Sequence, residues 1–362
     1  MSIKLYNLET PQKTKKLFQA KINKLINSSD WILGEEVKNF EKTLALYIGT
    51  KYALGVNSGT DALEISLKAL GIKKGDEVIV PGYSFFATSE VVLKLGATPI
   101  YSDISKKDLN INISGIEKLI TEKTKAIIPV HLFGNPVDMS RLKKRVNNRK
   151  IYLIEDVAQA FGSSLKNKKL GSYGATGCFS FYPTKNLGAF GDAGAITTNN
   201  KSYFEKMLIL RNHGQKKKYF HTEIGYNSRL DNVQAAILNL KIKTIKDIED
   251  RKINNIDKYY EILSTDSSIS ILGEKNQPLN QLPVAFESKS KLLTIKKQLE
   301  DNQIEFGKYY PYGLHEFRIS NHPSNKKLLN IDWAKDYTIT LPCHEKLKTS
   351  DIEKICKVIS KY

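Results

Sequence analysis

At 362 residues and 41% hydrophobic content the chain has room for one large α/β domain with a smaller companion, and its longest apolar runs, such as Ala126-Ile-Ile-Pro-Val130, are strand-sized, which excludes a membrane-spanning helix of roughly 20 apolar residues. Three widely spaced cysteines (Cys178, Cys343 and Cys356) suggest neither a disulfide framework nor a metal site, and the N-terminus lacks a signal-peptide pattern, so a reducing cytoplasm is expected. The net charge of +18 comes from scattered lysines, densest at Lys216-Lys217-Lys218, a pattern of solvated helix faces rather than of a nucleic-acid or membrane surface, though its field draws small dianions.

Along the chain, Tyr52–Val56 reads as a strand and Asp61–Leu70 as an amphipathic helix. Gly71 and Gly75 punctuate, and a strand at Glu77–Val80 stops at Pro81-Gly82. A helix follows from about Ala87 to Leu95. Strands come next near Thr98–Tyr101, Lys125–Val130 and Ile151–Ile154, the last two separated by a basic helical stretch. This alternation implies βαβ units and a mostly parallel buried sheet, with chemistry at the carboxyl ends of the strands. From Arg229 to about Leu263 the spacing predicts one long helix or two in series, with Leu230, Val233, Ala236, Ile237 and Leu240 on one face. Short strands around Pro283–Phe286, a helix near Leu292–Leu299 and a terminal helix near Ser350–Ile359 complete the pattern. The expected division is a large domain over residues 1–240 and a smaller α+β domain over 241–362.

Four segments carry chemistry. In Phe179-Ser-Phe-Tyr-Pro-Thr-Lys-Asn-Leu-Gly188 a strand-like aromatic run stops at Pro183 and one lysine, Lys185, follows in a Gly-rich loop. An amine among Phe and Tyr is more easily deprotonated and so suits imine formation. Asp156, in Ile154-Glu-Asp-Val-Ala-Gln159, follows an apolar strand. A pyridoxal ring needs a carboxylate there to keep its nitrogen protonated, although the segment also reads as a helix cap or a solvent-facing aspartate. Asn57-Ser-Gly-Thr-Asp-Ala62 opens a helix, a place where free N–H groups hold anions; Ser58 and Thr60 add hydroxyls, and all of these are also ordinary caps. Pro81-Gly-Tyr-Ser-Phe-Phe86 offers an aromatic to a flat ring, or simply core packing.

In this order and spacing the segments resemble the DegT/DnrJ/EryC1/StrS aminotransferases, sugar aminotransferases of the aspartate-aminotransferase fold type I. The matching stretches are Gly59-Thr-Asp-Ala-Leu63, Gly75-Asp-Glu-Val-Ile-Val-Pro81, Val130-His-Leu-Phe-Gly134, Glu155-Asp-Val-Ala-Gln-Ala160 and the Lys185 segment with Gly191-Asp-Ala-Gly194. His213-Gly214, Gly225-Tyr-Asn-Ser-Arg-Leu-Asp231 and Gln234-Ala-Ala236 extend the match, which continues loosely to Leu341-Pro342. The resemblance implies a mostly parallel seven-stranded sheet flanked by helices plus a small C-terminal α+β domain, with pyridoxal 5'-phosphate as cofactor. It makes Lys185 the Schiff-base lysine and Asp156 the partner of the ring nitrogen. Gln159 and Phe85 would lie against the ring, and Gly59, Thr60, Asp61 and Ser180 around the phosphate. Asn227 would reach the phosphate of a partner subunit, which makes a homodimer part of the expectation. Tyr182, Arg229, Tyr309, Tyr310 and His315 are the implied substrate contacts.

One stretch departs from the family. Many members carry His-Tyr-Pro near the substrate, whereas here it reads Tyr309-Tyr-Pro-Tyr-Gly-Leu-His315. The implied reaction is ping-pong transfer of an amino group from glutamate to a dTDP- or UDP-linked keto-deoxysugar, giving an aminosugar for surface glycans such as lipopolysaccharide O-antigen. A lysine at 185 argues against the family's dehydratase branch, where histidine replaces it. A non-nucleotide ketone (an aminocyclitol or aminobenzoate type) and a non-catalytic cofactor-binding regulator are the alternative readings.

Overall fold

The computed structural model describes residues 2–146, 149–320 and 327–361. Its main sheet has seven strands: β1 (Tyr52–Val56), β2 (Glu77–Pro81), β3 (Thr98–Ser102), β4 (Thr124–Ile127), β5 (Tyr152–Asp156), β6 (Thr176–Ser180) and β7 (Gly194–Thr198). Their order is β1-β7-β6-β5-β4-β2-β3, and only β7 runs against its neighbours. Each strand is apolar on both sides because helices cover both faces. Alternate residues separate cleanly. Leu54, Val78, Ala126, Ile154, Cys178 and Ile196 share one core with the helices Gly59–Ala69, Ala87–Lys94 and Lys201–Arg211. Ala53, Phe179 and Ala195 face the opposite way, into a core built with the helices Glu35–Ile48 and Asn232–Lys241.

The predicted strands and helices of this unit are present, with one instructive difference. The expected strand over Lys125–Val130 ends at Ile127, since Pro129 has no N–H to continue the ladder; Val130 makes only an isolated bridge to Asp156. Of the two readings of Arg229–Leu263, the structure has the second: two helices in series, Asn232–Lys241 and Ile245–Leu263, joined by a 3₁₀ turn. The break falls where the packing partner changes. Ile242 and Ile245 belong to a core of the large sheet, while Ile256, Tyr259 and Leu263 enter that of a second unit.

That second unit is a three-stranded antiparallel sheet, β8 (Ile269–Ile271), β9 (Leu282–Phe286) and β10 (Thr338–Leu341), backed by the helices Lys289–Asp301 and Thr349–Ser360. The first residues of the chain join it. Ile3 bridges to Ile304, and its N–H donates to the Gln303 carbonyl at 2.9 Å. The side chain of Ile3 is buried in that same core. Within residues 1–240, the strip at Ile3 thus packs with an edge made by residues 303–305.

Candidate active site

The strand ends of the large sheet bring the predicted residues together in two groups. Asp156 and Glu155 are adjacent, so the pleat sends them to opposite faces. Asp156 lies on the face of the helix Ala87–Lys94 and is buried. Its carboxylate accepts from the Thr88 hydroxyl (3.1 Å) and from the Ala158 N–H (3.1 Å). Burial pushes its pKa up, against those donors and the Lys185 charge. No Lys or Arg among the described residues forms an ion pair with it.

Lys185 sits in the turn between β6 and β7. Its N–H donates to the Tyr182 carbonyl at 2.8 Å, and Ala189 N–H closes the loop on Phe181 at 2.8 Å. Asn186 anchors the turn by donating to the carbonyls of Phe161 (3.0 Å) and Pro278 (2.6 Å), and Asn280 donates to that of Thr184 (3.1 Å). Lys185 is partly accessible, but burial of its amine lowers the pKa to about 8, with the Asp156 charge opposing the shift. It also stands in the wall of a cavity of about 540 Å³ beneath the N-terminal segment, beside Tyr6, Asn7 and Phe190.

At the helix start, Ser58 caps Asp61 by accepting its N–H at 3.0 Å. The Asp61 amide is thus spent on the cap, while the amides of Gly59 and Thr60 precede the first intrahelical bond. Gly59 lies against β6, where a Cβ would come within 2.7 Å of the Ser180 Cβ. Gly59, Thr60 and Ser180 accordingly share one corner, with the helix dipole pointing into it. Gln159 accepts the Phe133 N–H at 2.9 Å and donates to the Tyr310 hydroxyl at 2.9 Å. Phe85 and Tyr182 are exposed at the rim.

Other predicted residues stand apart. The segment Tyr226–Leu230 alternates, with Ser228 and Leu230 buried and Asn227 exposed. Ser228 Oγ accepts the Asn57 N–H at 3.2 Å, so the strip carrying Asn227 is fixed behind the helix start and Asn227 itself faces outward. Arg229 donates to Asn212 Oδ1 at 3.2 Å. His315 packs near Tyr101, 6.4 Å between ring centroids, and burial lowers its pKa.

Sequence reading gave no role to the support behind Asp156. Glu155 is fully buried and accepts from the N–H groups of Gly171 (2.9 Å), Tyr173 (2.7 Å) and Gly174 (2.7 Å). His131 accepts the Val137 N–H at Nδ1 (3.0 Å), which leaves its proton on Nε2, 3.2 Å from Glu155. Burial favours a raised pKa for Glu155, yet His131 and the amide donors prevail and it falls. The His131 N–H in turn donates to the Asp156 carbonyl at 3.0 Å. Charged residues inside an otherwise apolar strand were the available signal.

A lysine amine kept partly neutral, set across strand ends from a buried carboxylate, is the arrangement of the pyridoxal phosphate-dependent enzymes of fold type I. Within that class the chain belongs to the DegT/DnrJ/EryC1/StrS aminotransferase family, whose model matches residues 12–360. It is 35% identical over 340 residues to the UDP-N-acetyl-3-dehydro-α-D-glucosamine 3-aminotransferase of Acidithiobacillus ferrooxidans, covering 93% of this chain and 91% of the relative. It is 34% identical over 362 residues to the UDP-2-acetamido-2-deoxy-3-oxo-D-glucuronate aminotransferase of Pseudomonas aeruginosa, covering 99% of each. The crystal structure of S. venezuelae DesV with a ketimine intermediate superposes with a TM-score of 0.94 at 30% identity, over 99% of this chain and 98% of that one. The donor set fits the cofactor. Asp156 is a buried carboxylate without an ion-pair partner among the described residues, a place a protonated ring nitrogen suits, and at Gly59 a Cβ would meet Ser180, so that only glycine leaves the backbone bare there for a phosphate.

Proposed function

We propose that this chain moves an amino group from L-glutamate to a nucleotide-linked (UDP or dTDP) keto-deoxysugar, as a cytoplasmic homodimer with shared active sites. The product aminosugar feeds surface-glycan assembly of the lipopolysaccharide O-antigen type. The 3-dehydro and 3-oxo sugars for which the two relatives are named favour amination at C3. The observation that carries the reading is the Lys185 amine with its pKa near 8, opposite a buried Asp156.

Pyridoxal phosphate, when bound, supplies the aldehyde for the lysine and the electron sink that makes the proton on the donor's Cα removable. Asp156, oriented by Thr88, holds a proton at the ring nitrogen. The Lys185 amine, roughly a tenth of it neutral at pH 7, takes the proton from the donor's Cα and later returns one to the sugar carbon that receives nitrogen. Gly59, Thr60 and Ser180 bind the phosphate, Gln159 and Phe85 confine the ring, and Tyr182, Arg229, Tyr309, Tyr310 and His315 contact substrate. The chain's positive field concentrates both anionic substrates.

The test is glutamate added to the purified, cofactor-loaded protein, followed by a panel of nucleotide ketosugars with product mass and NMR position of the new amine. Loss of the cofactor's visible absorbance and an amine at C3 are expected; a protein with no such absorbance, or unresponsive to glutamate, overturns the reading. Asp156→Asn should lower turnover by on the order of 10²–10³, the cost of losing one preorganised charge, while the protein still retains cofactor through its phosphate. Asn227→Ala should weaken cofactor binding by roughly 10- to 100-fold, the worth of one hydrogen bond to a charged group. Mixed dimers of Asn227→Ala and Lys185→Ala protomers then regain activity, since one site has both groups; mixtures as inactive as their parents would mean that Asn227 serves its own chain or none.

A further inference from the structure

We propose that Tyr309 acts as an obligate hydrogen-bond donor to an oxygen atom of the acceptor sugar, its proton directed from behind by Gln281 through Tyr6. The inference rests on the nucleotide-linked ketosugar proposed above as acceptor. The Thr340 hydroxyl on β10 donates to Gln281 Oε1, and this orients the buried amide so that Nε2 donates to the Tyr6 hydroxyl. A phenol has a single proton. With one flank of its oxygen taken by the Gln281 amide, Tyr6 directs that proton to the Tyr309 hydroxyl, 3.3 Å away. Tyr309 then accepts from Tyr6, and its own proton has to leave on the other side. Among the described residues that hydroxyl has no further protein partner.

The neighbouring phenol is polarised in the same sense by an independent route. The Phe133 N–H fixes Gln159 Oε1 at 2.9 Å, so Gln159 Nε2 must be the group that donates to the Tyr310 hydroxyl, also at 2.9 Å. The rings of Tyr309 and Tyr310 meet edge to face with centroids 5.6 Å apart. Each hydroxyl therefore accepts on one side and keeps its own proton for another acceptor, which suits oxygen atoms of a sugar. Tyr310, bonded to Gln159 and packed edge to face on Tyr309, ties the pair to the corner where Gln159 is expected to meet the ring. Burial raises the pKa of both Tyr6 and Tyr310 far above the usual phenol range, so these hydroxyls keep their protons across the working pH. Successive bonds in such a chain reinforce one another.

Tyr309→Phe should raise the KM for the ketosugar roughly five- to tenfold, the worth of one hydrogen bond. Gln281→Glu is the discriminating variant. The carboxylate it introduces accepts from Tyr6, which turns the Tyr6 proton away and draws the Tyr309 proton back toward Tyr6. It should match Tyr309→Phe in KM, and the double variant should be no worse than either single. Should the introduced charge prevent folding, Tyr6→Phe decides instead: it frees the Tyr309 proton to turn and raises the same KM two- to threefold. Calorimetry provides a readout independent of turnover. The UDP-linked 3-aminosugar should bind these variants more weakly by the same factors, and UDP alone should bind all of them equally. Additive effects, or variants that bind the aminosugar as the parent does, overturn the relay. A parent protein that binds no UDP-aminosugar and turns over no nucleotide ketosugar overturns the substrate reading and the relay with it.

Discussion

Lys185→Ala should reduce amino transfer by at least about 10⁴-fold, the upper end of what a positioned acid–base group contributes, because the same amine also captures the cofactor. The variant still folds, since the turn around Lys185 is held by backbone bonds and by Asn186 and Asn280, none of which uses the lysine amine. The pH dependence follows from the lowered pKa. In apoprotein, the rate of covalent cofactor capture should climb about tenfold per pH unit below about 8 and level off above it, tracking the neutral amine. Linkage gives an independent check. The folded-state pKa of about 8 lies below the ordinary 10.5, so between these values the unfolded chain holds a proton that the folded one has released. Stability contributed by this group therefore rises with pH across that window, and the cost of burying its charge is full below it. The apo variant, free of that cost, should be the more stable of the two at pH 7, with its advantage shrinking toward pH 10.5. Equal pH slopes in denaturant titrations of the two proteins would show that the amine is not desolvated.

Glu155→Ala is expected to be the most destabilising single change in the site, by about 3–5 kcal/mol. It strands three backbone N–H groups and the Nε2 proton of His131 in a fully buried place, where unmet donors are costly. The midpoint of urea denaturation should fall accordingly. Folded material remaining in the cold should bind cofactor poorly, because His131 also holds the backbone carbonyl of Asp156. Glu155→Gln retains an acceptor and should cost about half as much. A Glu155→Ala protein within 1 kcal/mol of the parent would mean that water replaces the carboxylate, against its burial.

Most of the sheet could be read from the chain because each strand is a short apolar run between glycines or prolines, and each crossover helix repeats at 3.6 residues. Tyr52–Val56 falls where it was expected, and Glu77–Pro81 runs one residue past its expected end at Val80. Each segment alone also reads as a cap, a turn or core packing, and Lys185, Asp156, Gln159 and the Gly59 corner acquire their roles from the resemblance of the whole series of segments to one family. What stayed hidden depends on contacts distant in sequence. Thr88 reads as one more helix residue until Asp156, 68 positions away, is found to need its hydroxyl. Glu155 looks like half of an acidic pair until the pleat turns it to three amides in the loop before β6. Tyr6 and Gln281, 275 positions apart, carry no local signal of the bond that joins them. That Arg229–Leu263 could be two helices was open, but the position of the break at residues 242–244 was not legible, since it falls where the packing partner changes.

The pairing of Ile3 with Ile304 also sets an order of assembly on the ribosome. Residues 303–305, which bracket the N-terminal strip, emerge some 300 positions after it, so the earliest part of the chain must wait, with Ile3 uncovered, until most of the large sheet has been made. The loop closed by that pairing is nearly as long as the protein, which places it among the slowest contacts to form. A shortened chain ending before residue 300 would still hold every strand of the large sheet. It would lack the edge that receives its own first residues, and should be recovered with an N-terminus open to proteases, whereas the full chain resists them there.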